Sequence, residues 1–391
     1  MTAVNATTVT PGSLDELRDA VLDRPGTIRI AGAGTAADWA GTPAPADTVL
    51  STGGLTGIVT HNPGDMTVEV RAGTPFAQLQ SELGEHHQRV AVDPARAAEG
   101  ATLGGLFATA DSGPRALQYG SLRDLVIGAT IVLADGTVAR SGGHVIKNVA
   151  GYDLTKLLHG AHGTLGVLAH VVLRLHPTPQ ATATVAVPCG RADMADLARR
   201  VADSPVEAGA VQWHGSGQGG RLISLIEGSD DGSEARARRL VETLGGQAAL
   251  LSPDEATEAW DEHAAAVRAR PDGRAVLRFG VVPGRLTEVL DGLDRDTGGL
   301  DHVTAAPRTG VATVALPADA DVVAAAHRRV AEAGGTSTLR QRPPGAELPA
   351  FGPAPASAAL LRSVVTALDP DHRFGRGRLA PWVPLPEGVR A

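Results

Sequence analysis

Gly142-Gly143-His144-Val145-Ile146-Lys147-Asn148-Val149-Ala150-Gly151-Tyr152-Asp153-Leu154 is followed, five residues on, by Gly160-Ala161-His162-Gly163-Thr164-Leu165-Gly166-Val167. Glycine lets a backbone take φ > 0 or approach another surface closely, and a neighbouring threonine adds a short hydrogen-bonding arm. Two related clusters lie upstream. One is Thr102-Leu103-Gly104-Gly105, followed by Asp111-Ser112-Gly113-Pro114-Arg115 and Tyr119-Gly120-Ser121-Leu122-Arg123-Asp124. The other, Ala31-Gly32-Ala33-Gly34-Thr35-Ala36, follows a short apolar run. It nearly spells a dinucleotide fingerprint, but that motif needs a helix directly after the glycines, its N-terminus facing a pyrophosphate. Gly41, Pro43 and Pro45 leave no room for such a helix, since an internal proline removes a hydrogen bond and clashes with the preceding turn. The loop is then either an ordinary turn or a nest of N–H groups for an anion. Three such loops favour close backbone approach to one long ligand over turns that merely close a β-meander.

Composition narrows the class. At roughly 100–200 residues per domain, 391 residues suggest two or three domains. Lys plus Arg is 35 against 43 for Asp plus Glu, a net charge of −8, which argues against nucleic-acid binding, where a concentrated basic stripe is needed. Cys189 is the single cysteine, so neither an intramolecular disulfide nor a cysteine-ligated iron–sulfur or zinc site can form within this sequence. No run of 18 apolar residues is present, so no membrane helix is expected. The opening MTAVNATTVTPGSLDEL has no basic start followed by an apolar stretch, and the default expectation is the cytoplasm.

Periodicity places the loops on elements. Ser13 and Glu16 stand at capping-box spacing before Leu14, Leu17, Val21 and Leu22, which share a helical face. Asp135-Gly136 sits between two apolar runs, as in a type I′ hairpin. From about residue 180, β-like runs alternate with helical ones, which predicts a sheet covered on one face.

The order of glycine loop, "TLGG", "SGPR…YGSLRD", "IKNVAGYD" and "GTLGV" resembles the PCMH-type FAD-binding domain of the vanillyl-alcohol oxidase superfamily, over residues 14–178. The stretch Gly142–Val167 is more specifically similar to the FAD-binding E-type subunit of bacterial glycolate oxidases. The tail, Leu368-Asp369-Pro370 through Phe374-Gly375-Arg376-Gly377-Arg378-Leu379, resembles that family's ending, with Gly375-Arg376 where an Asn-Pro pair is usual. The resemblance implies an α+β protein: a PCMH-type FAD-binding domain of two α/β subdomains (1–178), a smaller α+β cap with an antiparallel sheet (179–345), and a tail (346–391) packing back on the FAD domain.

It also implies site residues. Ala31, Gly32, Ala33, Gly34 and Thr35 would wrap the pyrophosphate through main-chain N–H groups. Gly104 and Gly105 would approach from the other side, with the Thr102 hydroxyl. Ser112, Gly113, Tyr119, Gly120 and Ser121 would line the flavin channel. Gly163, Thr164, Gly166 and Val167 would meet the ribityl or adenine part, with Asn148, Tyr152 and Asp153 bracing from behind. Covalent relatives use a histidine in the first loop or a later cysteine. The first loop has no histidine and Cys189 lies outside the flavin region, so FAD is expected to be non-covalent and no metal is expected.

Oxidising a 2-hydroxy acid needs a base for the hydroxyl proton, a cation for the carboxylate and a hydride acceptor. Arg278 lies mid-strand in the cap, positioned either to hold a carboxylate or to face outward. His214, after Trp213, is the candidate base, while Glu85-His86-His87 reads as a solvated run. Three functions follow: an FAD subunit of a glycolate oxidase-type complex, working with a second flavoprotein subunit and an iron–sulfur subunit; a stand-alone FAD oxidase or dehydrogenase of another alcohol; or an FAD-binding assembly subunit without chemistry of its own.

Overall fold

The computed structural model describes residues 6–146, 152–217 and 219–384. The chain divides into two compact units. The first comprises residues 1–113, 120–178 and 354–391; the second comprises 114–119 and 179–353. The return to the first unit thus comes later than position 346, and a six-residue excursion leaves the first unit inside the "SGPR…YGSLRD" motif.

Among the described residues the first unit holds a parallel three-stranded sheet, an antiparallel five-stranded sheet and a two-stranded ribbon of Gln88–Arg89 with His176–Pro177. Thr48–Ser51 lies between Thr7–Val9 and Ile28–Ala31, all parallel. The Leu14–Leu22 helix begins where the Ser13 hydroxyl accepts the Glu16 N–H. The reciprocal arm of the box lands one residue early, the Glu16 carboxylate accepting from the Gly12 N–H at 2.8 Å. Leu17 and Val21 are fully buried, against Ile28, Leu50, Val132, Val167 and Phe374, whereas Leu22 is exposed. Burying each such side chain is worth about 1.5–3 kcal/mol.

The second sheet is antiparallel, in the order Ile58–Asn62, Thr67–Arg71, Val167–Arg174, Val126–Val132, Val138–Gly142. Its 133–137 turn is not type I′. Asp135 is not among the residues of positive φ, and only Gly136 is left-handed, at φ 79°. The Gly136 N–H bonds the Leu133 carbonyl at 3.0 Å, and the Leu133 N–H bonds the Thr137 carbonyl. This is a type I turn closed by a glycine bulge; the Asp135 carboxylate accepts the Thr137 N–H at 2.8 Å and fixes that choice.

The tail completes the parallel sheet. Asp369 is fully buried and accepts the N–H groups of Arg373 and Phe374. Arg373 donates to the carbonyls of Val21, Gly26, Arg24 and Ala134. Phe374 bridges Ile28 in parallel. Gly375, at φ 52°, and Gly377, at φ 85°, make the turn where the family carries Asn-Pro.

The second unit is an eight-stranded antiparallel sheet, in the order Ala249–Leu250, Ala181–Pro188, Gly219–Gly228, Ala210–Ser216, Val303–Ala306, Val311–Pro317, Arg274–Gly280, Thr336–Gln341. Alternation sends Val211, Trp213, Leu277 and Phe279 to one face. There they form one core with the helices Arg191–Asp203, Asp230–Leu244, Leu286–Thr297 and Ala320–Glu332. The sheet is not bare on the other side. The Pro253–Arg268 helix packs there on the strands Ala181–Pro188, Ala210–Ser216 and Val303–Ala306, with Ala259 buried against Ala186 and Ile223.

Candidate cofactor site

The first unit contains an open cleft, and the three glycine loops converge on it. Ala31, Gly32, Ala33, Gly34 and Thr35 line it from the end of Ile28–Ala31; Thr102, Gly104 and Gly105 line it from the second loop; Gly163 and Gly166 from the third.

Each loop is held in place by the others. The Thr102 hydroxyl accepts the Gly105 N–H at 3.1 Å and caps the Leu103–Ala108 helix. A side chain at Gly32 would meet that hydroxyl oxygen at 2.7 Å, so the first loop can rest on the second only as glycine. The Gly104 N–H bonds the Ala72 carbonyl at 2.7 Å. The His162 N–H bonds the Ala108 carbonyl at 2.8 Å, tying the third loop to the same helix.

The cleft suits a dinucleotide. Among the described residues, the N–H groups of Ala33, Gly34 and Ala36 are donated to no protein acceptor. Gly34 is left-handed, at φ 79°, and nothing lies within 4 Å of where its Cβ would sit. Successive N–H groups around such a residue form an anion-binding concavity. Arg29, Arg96 and Arg378 line the same cleft. Arg96 is buried, stacked over the Trp39 ring at 4.5 Å and paired with Glu99 at 3.3 Å. Arg378 donates through Nη1 to the carbonyls of Ala37 and Trp39 at 2.7 and 2.8 Å.

Six expected positions have other contacts, and a seventh, Ser112, lies off the cleft lining. Val167 is buried in the core beneath the parallel sheet. Thr164 donates its hydroxyl to the Ala161 carbonyl at 2.7 Å. Gly113 lies against Asp93, whose carbonyl oxygen would be 2.0 Å from an added Cβ. Tyr119 belongs to the second unit, its hydroxyl donating to Glu227 at 2.8 Å beside an Arg115–Glu227 ion pair at 2.7 Å. Gly120 and Ser121 serve the capping box with Asp124 that opens Leu122–Leu125. Of the bracing residues, Tyr152 is exposed, Asp153 pairs with Lys156 at 3.0 Å, and Asn148 lies outside the described residues. Glu85, His86 and His87 are exposed, and no cluster of three metal-ligating side chains occurs among the described residues.

Arg278 and His214 both lie in the second unit, on the sheet face opposite its main core, with Arg278 Nη1 3.4 Å from the Thr313 hydroxyl. His214 Nε2 is 3.4 Å from Arg221 Nε and 3.8 Å from the Glu262 carboxylate. Burial, then the Arg221 charge, lowers the His214 pKa. Glu262 and His263 come from the Pro253–Arg268 helix, which the alternation pattern did not suggest. Its signal was local: Ser252 and Glu255 form a complete capping box with Pro253 in the first turn.

Residues 6–142, within the first unit, match the FAD binding domain family, and the chain has the mixed α+β architecture that the motif order implied. Within that class the chain is similar to glycolate oxidase subunit GlcE of Escherichia coli (strain K12), 40% identical over 126 residues, 32% of this chain and 36% of that subunit. It is also similar to D-lactate dehydrogenase of Archaeoglobus fulgidus, 28% identical over 280 residues, 67% of this chain and 59% of that enzyme. The chain thus matches less than two thirds of either relative. A solved alkyldihydroxyacetonephosphate synthase shares the fold, with a TM-score of 0.68 over 94% of this chain and 75% of that one at 16% identity. Among the described residues, no helix is long and apolar enough to cross a membrane.

Proposed function

We propose that this chain is the FAD-binding oxidoreductase subunit of a glycolate oxidase-type complex, oxidising a small 2-hydroxy acid such as glycolate to the 2-oxo acid. The observation that carries this reading is the first unit's cleft, where undonated N–H groups and three arginines meet in a domain of the FAD-binding family. The 31–35 loop holds the pyrophosphate, Thr102, Gly104 and Gly105 close the opposite wall, and Gly163 and Gly166 border the ribityl or adenine part. When bound, FAD supplies the hydride acceptor at N5. In the second unit Arg278 offers its charge to the substrate carboxylate, and His214, kept neutral by burial, takes the hydroxyl proton. The cofactor is non-covalent, because the 31–35 loop has no histidine and Cys189 lies in the second unit.

Electrons must then leave the flavin. One cysteine cannot ligate a cluster, so the reading includes a second flavoprotein subunit and an iron–sulfur subunit as acceptors. The purified chain is expected to be yellow, to release intact FAD on denaturation, and to lose its flavin band on anaerobic addition of glycolate, lactate or 2-hydroxyglutarate. Flavin retained by denatured protein refutes the non-covalent attachment. Rapid oxygen consumption by the chain alone favours a stand-alone oxidase, and a flavin band that no hydroxy acid bleaches favours an assembly subunit.

A further inference from the structure

Residues 114–119 leave the first unit and are held in the second by a specific grip. The Glu227 side chain is 4% exposed, and both its carboxylate oxygens are taken. Oε1 accepts from Arg115 Nε at 2.7 Å, and Oε2 accepts from the Tyr119 hydroxyl at 2.8 Å. Between these two residues, Leu117 packs against the second unit's main core, and Gln118 lies against Gly209. The anchor is itself fixed: the Glu227 carbonyl accepts from Arg236 Nη2 at 2.5 Å, and Arg236 Nε donates to the Gly232 carbonyl at 3.1 Å. A buried carboxylate held this way is costly to leave unpaired. Yet the six residues add no strand to the second unit, whose sheet comes entirely from 179–353.

Both ends of the stretch lead back to one wall of the cofactor cleft. On the incoming side Thr109 and Asp111 line the cleft, and the Asp111 N–H bonds the Leu106 carbonyl at 3.0 Å, at the end of the Leu103–Ala108 helix. Only Ser112, Gly113 and Pro114 separate Asp111 from Arg115, so at most about 14 Å of chain joins the two. This tether is stiff. Pro114 fixes its own φ, and Gly113 is pressed against the Asp93 carbonyl. On the outgoing side Gly120, at φ 78°, turns the chain into the Ser121–Asp124 capping box. The Leu122–Leu125 helical turn that this box opens packs on the same Leu103–Ala108 helix.

We propose that residues 114–119 are a clip: by gripping Glu227 they position the Leu103–Ala108 wall of the cleft, so that FAD binding and docking of the clip reinforce each other. This rests on the FAD reading of the cleft. Arg115, Tyr119 and Glu227 are then positioning residues, acting on the cofactor through Asp111 and the Thr102–Gly105 loop. Linkage makes the effect reciprocal. If undocking the clip weakens FAD by some factor, FAD favours the docked clip by that same factor. Residues that only stabilise the second unit produce no such equality.

The test uses the full chain as apoprotein, titrated with FAD by fluorescence. Hydrogen exchange is read at the Leu117, Gln118 and Tyr119 amides, which bond the Pro114 and Arg115 carbonyls at 3.1–3.3 Å and so report opening of the clip. In the wild type, FAD is expected to slow exchange at these amides about tenfold. Glu227→Ala is expected to weaken FAD by about the same factor, the scale of a charged hydrogen bond, and to abolish the slowing. Glu227→Gln keeps the side chain's shape and one acceptor, and is expected to recover part of both effects. Tyr119→Phe removes one hydrogen bond while keeping the ring, and is expected to weaken FAD by roughly three- to fivefold. Exchange that FAD leaves unchanged in the wild type overturns the proposal. So does wild-type FAD affinity in Glu227→Ala or, where that variant does not fold, in Tyr119→Phe. Slowing that persists in full in these variants means direct shielding by the cofactor, and also overturns it. Failure of the FAD reading looks different: the apoprotein then takes up no flavin at all, whatever residue stands at 227, and the clip falls with it.

Discussion

Gly34 shows what one residue contributes to the cleft. Its φ of 79° is a conformation L side chains rarely adopt, and the space beside it is open. A valine there would strain the backbone by about 1–2 kcal/mol and push two methyl groups into the volume proposed for the pyrophosphate. Gly34→Val is expected to lower FAD affinity at least roughly tenfold, with the second unit's melting unchanged; wild-type affinity on flavin titration would mean that the loop does not carry the phosphates. Gly104 is a different case. A Cβ there would lie 2.9 Å from both the Cβ and the carbonyl oxygen of Ala72, so a valine disrupts the first unit's own packing before any ligand is involved. Both glycines stood out in the sequence. Which faces a ligand and which faces protein was not legible there, because the distinction depends on Ala72, 32 residues away from Gly104 and on another segment.

At the scale of elements, the Pro253–Arg268 helix makes the second unit sensitive to acid. Burial above all, then the charge His214 gains when it protonates in acid and the Arg278 charge, hold the His263 pKa down at about 3, against 6.5 for a free histidine. Below pH 6.5 the unfolded chain takes up a proton that the native protein refuses. The stability due to the neutral histidine is therefore complete above about pH 6.5 and declines as the pH falls toward 3, by roughly 1.4 kcal/mol per pH unit at most. Denaturant unfolding of the second unit between pH 7 and pH 4 is expected to show this slope, and His263→Phe is expected to flatten it; an unchanged slope in the variant would assign the acid sensitivity elsewhere. Hydrophobic periodicity does not reveal this helix because its apolar face is short, with Ala259 and His263 its buried residues.

The tail is the second decisive element. Arg378 grips the carbonyls after the first glycine loop, and the Gly41 N–H bonds the Arg378 carbonyl at 3.0 Å. Arg378→Ala removes the side-chain contacts and leaves that backbone bond. FAD affinity is expected to fall about tenfold or more, with partial recovery in Arg378→Lys, which restores a single donor group in place of the fork. Fluorescence titration of the apoprotein measures this, and an affinity equal to wild type would reduce the tail to packing alone.

For the molecule as a whole, motif order was the most informative signal. It led to the FAD-binding domain and to the antiparallel cap through strings such as "GTLGV" and "YGSLRD", whose residue types are set by backbone conformation and close approach. What it could not convey was the path of the chain between units. Residues 114–119 read as part of a flavin motif, yet Arg115 and Tyr119 hold Glu227, more than a hundred residues later in the second unit. A buried carboxylate selects its partners by three-dimensional proximity, and nothing local marks them.

That discontinuity also orders events during protein synthesis. The second unit's sheet lies within one continuous run, 179–353, whereas the first unit receives its last segment only from residue 354 onward. As the ribosome moves toward the 3′ end of the message, the eight-stranded sheet can close while the strand at Ile28 still lacks Phe374 and the first glycine loop still lacks Arg378. The cleft proposed for the cofactor is therefore finished last. A polypeptide cut short after residue 353 would keep the second unit's complete sheet and lose Arg378, the brace beside the loop proposed to hold the pyrophosphate.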